Sequence, residues 1–189
     1  LDALAEWLVE HDFNIKALMR LILQSETYQR TSAPLVENEA DERFYSRYYP
    51  RRLMAEVLHD AIAQVSDIPG KFTHLAYDGA DIEETKEYPE GTRAIELYDS
   101  AVVAPFLKTF GRNERNITCE CERTNTPSLI QVLHISNGNT VNERLRDENS
   151  CVGKALASEM EDSKLIEEAF LRTLSRKPQA KEKEELLIY

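Results

Sequence analysis

Apolar residues recur at three- and four-residue intervals along much of this chain, and the breaks in that rhythm divide it into elements. Leu4, Trp7 and Leu8 share one face of residues 2 to 10. Asn14 is a residue type that caps helix starts, and Ile15, Leu18, Met19, Ile22 and Leu23 follow at helical spacing. The two runs predict a helical hairpin over residues 1 to 30, stopped by Ala33-Pro34. The polar, aromatic-rich stretch from Asn38 to Tyr49 predicts partial helix. Pro50-Arg51-Arg52 opens the clearest helix of the first half, with Leu53, Met54, Val57, Leu58, Ala61, Ile62 and Val65 as its apolar stripe. Ile68-Pro69-Gly70 ends it.

No period persists over residues 70 to 98, where glycine and proline punctuate and acids cluster. This stretch predicts a long loop-rich insertion with a short strand pair near Arg93 to Leu97. Loops of such length are uncommon and often functional. Helix returns over residues 99 to 109, with Asp99 or Ser100 as cap and Val102, Val103, Phe106 and Leu107 as apolar positions. The next helix covers residues 126 to 136, with Pro127 at its first position and Leu129, Ile130, Leu133 and His134 toward the core. Asn137-Gly138 ends it. Asn139 to Arg146 forms another short helix. Leu165, Ile166, Ala169, Phe170 and Leu174 mark a strong amphipathic one, and a last helix starts near Ala180. The expected fold class is therefore all-α: an irregular helical bundle with one long insertion at about 70–98, in a single domain over residues 1–189. Helical pattern is already present at Leu1 and still running at Tyr189, so the expectation is a fragment cut from a larger protein at both ends.

Composition narrows the partners. Lys and Arg number 23 against 34 Asp and Glu, a formal net charge of −11. Such a surface repels phosphate backbones, so nucleic acid is not an expected partner. No apolar run approaches the ~20 residues of a membrane helix, so no membrane span is expected. Three cysteines, Cys119, Cys121 and Cys151, are too few for a disulfide framework.

Several motifs together resemble one family. These are Arg51-Arg52-Leu53 with Ala55-Glu56, Gly91-Thr92-Arg93-Ala94, Phe110-Gly111-Arg112, Cys119-Glu120-Cys121-Glu122-Arg123, Pro127-Ser128-Leu129 and Asn137-Gly138. Their order, with Ser25-Glu26-Thr27-Tyr28-Gln29 before them and Ser175-Arg176-Lys177-Pro178 after, resembles the domain of unknown function 1553 family. The resemblance implies the C-terminal part of large exported, planctomycete-type surface proteins, often preceded by a cytochrome c-like domain. It implies a periplasmic or cell-surface location and partners among upstream domains of the same chain. It carries no settled activity and no catalytic residues. The haem signature Cys-x-x-Cys-His does not occur in these residues, so no cofactor is expected in this fragment and haem belongs, if anywhere, to an upstream domain. Gln179 stands where the family's last helix tends to carry threonine, which weakens that cap.

Candidate chemistry is sparse. Cys119 and Cys121 could meet a metal with His134, but structural zinc uses wider spacing and a second ligand pair, so the expectation is no metal. Two small buried thiols in a short strand is the simpler reading. Arg51, Arg93, Arg112 and Arg123, with Glu120 and Glu122, form either an internal ion-pair network pinning residues 70–123 or an anion or sugar-acid site; the network is favoured. His59 beside Asp60 reads as a helix-surface residue. Tyr45, Tyr48 and Tyr49 either pack under a loop or stack on a sugar. The functional expectation is an interaction or domain-packing module. The alternatives are an enzyme domain acting on extracellular polysaccharide and an accessory to an upstream haem domain.

Overall fold

Helix dominates the computed structural model, which describes residues 1–41, 43–77, 79–112 and 127–188. Contacts divide the chain into two units, Leu1–Arg52 and Leu53–Tyr189.

The first unit holds α1 (Asp2–Glu10) and α2 (Ile15–Leu23), which pair as the expected hairpin. Asn14 caps α2, its Oδ1 accepting from Ala17 N at 3.0 Å. Asp12 and Phe13 turn the chain between the helices at φ of 52° and 55°, a left-handed conformation that side chains other than glycine adopt rarely. Residues 38–49 depart from expectation: no helix forms among the described ones. Asp41 explains this. Its carboxylate accepts from the backbone N–H groups of Arg43, Phe44 and Ser46 and from the Ser46 hydroxyl. Such local bonds offer the backbone an alternative to helix. They hold the Asp41 carboxyl well below the usual carboxylate range, the Ser46 hydroxyl first among them. Tyr45 and Tyr49 pack at 5.3 Å between ring centroids, and Arg47 lies over the Tyr49 ring.

The second unit opens with α3 (Ala55–Ser66), which starts later than Pro50. Its buried residues are Ala55, Glu56, His59 and Ser66, whereas Leu53, Met54 and Val57 of the expected stripe are exposed. Leu58 and Ile62 pack against the core from its flank. After α3 come β1 (His74–Leu75) and β2 (Glu83–Glu84), antiparallel, with Leu75 opposite Glu83. The strand pair thus precedes Arg93 to Leu97, where a 3-10 turn (Ala94–Glu96) forms instead. The helix expected over residues 99–109 shrinks to α4 (Pro105–Thr109). Val102 is drawn into a bridge with Leu75, and Val103 N donates to His74 O at 2.9 Å. Pro105 at the first helical position then fits, since its missing N–H leaves no helical bond unmade.

The core is built where periodicity failed. Phe72, Leu75, Tyr88, Ala94 and Leu97 come from the irregular insertion and pack with Ala55, Val102, Phe106, Leu107 and Phe110. Irregular backbone that carries core side chains shows no helical repeat, so pattern alone reads it as surface.

The remainder is α5 (Leu129–Asn137), α6 (Asn139–Arg146), α7 (Cys151–Ala157), α8 (Asp162–Leu174) and α9 (Ala180–Leu186). Ser128, not Pro127, starts α5: its backbone N donates to Gln131 Oε1, and its Oγ accepts from Gln131 N. The inward face of α5 matches expectation only at His134, which packs on Phe106 and Phe110. Gln131 is buried, while Leu129, Ile130 and Leu133 are exposed. Gln131 Nε2 donates to Thr109 O at 3.0 Å, which gives the last turn of α4 a partner. Pattern missed α7, although Ser150 caps it. Ser150 is fully buried, accepts from Gly153 N at 2.9 Å and donates to Leu145 O. Asp67, in the left-handed conformation that ends α3, grips Arg172 of α8 at 2.9 Å and Lys154 of α7 at 3.4 Å.

Candidate functional site

Two buried polar centres sit on α3. The first is an ion pair. Glu56 Oε1 lies 3.7 Å from Arg112 Nε, and both side chains are nearly sealed, at 7% and 9% exposure. Arg112 also donates from Nη2 to Asp99 O at 3.0 Å and to Leu97 O at 3.4 Å. One guanidinium therefore ties the start of α3 to the chain that leads into α4. Its planar fork suits that task, because it offers five donors in fixed directions.

The second centre is a cleft of about 550 Å³ beside His59. The His59 ring is buried between Phe72 and Phe106, at 5.4 and 5.6 Å centroid distance. This corrects the helix-surface reading of His59. Arg144 Nη2 lies 3.0 Å from His59 Nε2. A guanidinium only donates, so Nε2 is the acceptor and the ring proton sits on Nδ1. Nδ1 faces Asp60 Oδ1 at 3.5 Å. Asp60 in turn accepts from Ala94 N at 2.6 Å and Ile95 N at 3.1 Å, capping the 3-10 turn from a position 34 residues earlier. Burial, then the Arg144 charge, push the His59 pKa below its ordinary value, against the opposing pull of Asp60. Burial also lowers the Arg144 pKa. No carboxylate lies within ion-pair distance of Arg144 among the described residues, and its covered Nη1 has no partner there.

This constellation suits binding better than acid–base catalysis. Both nitrogens of His59 are engaged, so the ring has no free position for a substrate proton. Lys71, Asn139, Thr140, Glu143 and Asp147 add polar groups to the cleft wall. The carboxyls of Asp41, Asp67, Glu96, Glu167 and Glu182 are all displaced downward. A general acid at neutral pH needs the opposite.

The residues expected to carry chemistry are scattered. Arg93 is exposed and pairs with Glu96 at 3.0 Å. Arg51 is exposed. His134 packs edge-on to Phe106 and Phe110, with Nε2 3.1 Å from Thr140 Oγ1. Cys119, Glu120, Cys121, Glu122 and Arg123 lie outside the described residues. Among the described residues no group of His, Cys, Asp and Glu is placed to hold a metal ion, and Cys151 is a half-buried free thiol. No helix among them is long and apolar enough to cross a membrane. Arg144 was missed because α6 carries no apolar stripe to orient it; its only sequence signal is its place in the last turn of that helix.

No curated protein and no solved structure matches the chain. A family model does match it, over residues 1–189, and the chain belongs to that family, PSD1, a protein of unknown function (DUF1553).

Proposed function

We propose that this chain is an interaction module of a larger exported bacterial protein, and that residues 1–52 form a helical layer completed by upstream domains of the same polypeptide. The supporting observation is that no described side chain in residues 1–52 is buried. The hairpin still carries the apolar residues of a core-forming element. Phe13, Ile15 and Met19 are 66%, 56% and 56% exposed, and Ile22 and Leu23 stand open beside them. Nine-residue helices have little stability of their own and depend on packing of an apolar face. Covering an Ile, Leu or Met side chain is worth about 1.5–3 kcal/mol, so the open face is a large unused driving force for association.

The test is direct binding. The 189-residue chain and the portion of its parent that precedes it are produced separately and mixed in a sedimentation experiment. The reading expects a complex, abolished by Ile15→Glu together with Met19→Glu. Failure to associate, or association indifferent to both substitutions, contradicts it.

A further inference from the structure

We propose that His59 and Arg144 form an acid-operated latch: protonation of His59 frees Arg144 from α3 and loosens α6 from the core. At neutral pH the latch is closed because the neutral imidazole offers Nε2 as the acceptor for Arg144 Nη2 at 3.0 Å. Protonation removes that lone pair and sets an imidazolium against a guanidinium at the same distance. The contact changes from a hydrogen bond to a like-charge clash in a half-buried setting, where screening is weak.

The surroundings favour release over absorption of the charge. On its own helix His59 faces Asp60, but both Asp60 oxygens already accept backbone N–H groups of the 94–96 turn. Glu56, one turn earlier, is paired with Arg112. From the loop after α3 and from α4 the ring meets Phe72 and Phe106, which carry no charge. Lys71 lines the cleft and is tied to Glu90 at 3.1 Å. From α5, His134 is the nearest titratable group, reached across the Phe106 ring. From α6, Glu143 and Asp147 line the outer cleft wall with Arg144. The ring cannot retreat, because Gly70 leaves no slack: a Cβ there would stand 2.8 Å from His59 Cε1. Arg144 can move, since the cleft of about 550 Å³ lies beside it and Glu143 and Asp147 can receive the guanidinium.

The experiment is hydrogen exchange on the full chain at pH 7.5 and pH 5.0, corrected for the intrinsic pH dependence of exchange. Protection across Asn139–Arg146 is expected to fall about tenfold at the lower pH, because protons bind the opened state more readily than the closed one. His59→Gln keeps a neutral acceptor for Arg144 and is expected to hold that protection at both pH values. Independently, nitrogen NMR of the wild-type chain at pH 7.5 is expected to find His59 protonated on Nδ1 with Nε2 bare. The latch is overturned by any of three results: α6 protection in the wild type that ignores pH, an equal loss in His59→Gln, or a proton on Nε2.

Discussion

Glu56 and Arg112 face each other inside the fold, 3.7 Å apart and both nearly solvent-free. They come from the first turn of α3 and from the residues that follow α4, 56 positions apart in the chain. Removing Arg112 takes a guanidinium away from a buried carboxylate. Arg112→Ala is therefore expected to cost about 3–5 kcal/mol and to lower Tm on the order of 10 °C. Arg112→Lys recovers only part of this, because a lysine cannot hold Glu56 while also reaching Leu97 O and Asp99 O. Thermal unfolding of the three proteins checks it.

Gly70 is expected to tolerate no side chain. A Cβ at this position meets His59 Cε1 at 2.8 Å and the Phe72 ring at 3.1 Å. Both rings are buried. Gly70→Ala therefore forces a shift in packed aromatics and destabilises by about 1–3 kcal/mol. Denaturant unfolding reads the loss, and His59 ring resonances that move in the variant locate it.

The cap of α7 rests on one hydroxyl. Ser150 satisfies Gly153 N and Leu145 O without access to water. Ser150→Ala leaves both groups unpaired, and a loss of about 1–2 kcal/mol follows. Ser150→Thr keeps the hydroxyl but adds a methyl to a sealed site, so it rescues incompletely.

Acid below about pH 4.5 should loosen α9. Glu182 accepts two bonds from Arg176, at 2.8 and 2.7 Å, and one from Gln179 N at 2.8 Å. These hold its pKa down to about 2, from an ordinary 4.5, with the Arg176 contact the largest cause. A depressed carboxylate pKa stabilises the folded state above the unfolded value, and that contribution fades as pH falls from about 4.5 toward about 2. Carbonyl-carbon NMR of Glu182 across this window is the check. A midpoint near 4.5 would show that the grip does not exist in solution.

How much of this was legible in sequence depended on what held each element. Hairpin helices α1 and α2 and the amphipathic α8 were readable, because three- and four-residue spacing is set by helix geometry alone. Asn14 announced its cap. Family membership was readable too, from short motifs in fixed order. The inward faces of α3 and α5 were legible only at Leu58, Ile62 and His134, since Glu56, His59 and Gln131 point inward on the strength of partners far away in the chain. The insertion misled for the same reason: Phe72, Tyr88 and Leu97 are core residues on irregular backbone. Of the candidate cleft, His59 and Asp60 were noticed and placed on the surface. Arg144, the cation against His59 in the cleft, carried no signal beyond its place in the last turn of α6.

The central claim is that α1 and α2 present an apolar face meant to be covered by the rest of the parent protein. Hydrogen exchange of the amides in Asp2–Glu10 and Ile15–Leu23, compared between the isolated 189-residue chain and the intact parent, tests it most directly. The account predicts weak protection in isolation and at least a hundredfold more (about 3 kcal/mol) in the parent. Equal protection in both proteins would contradict it.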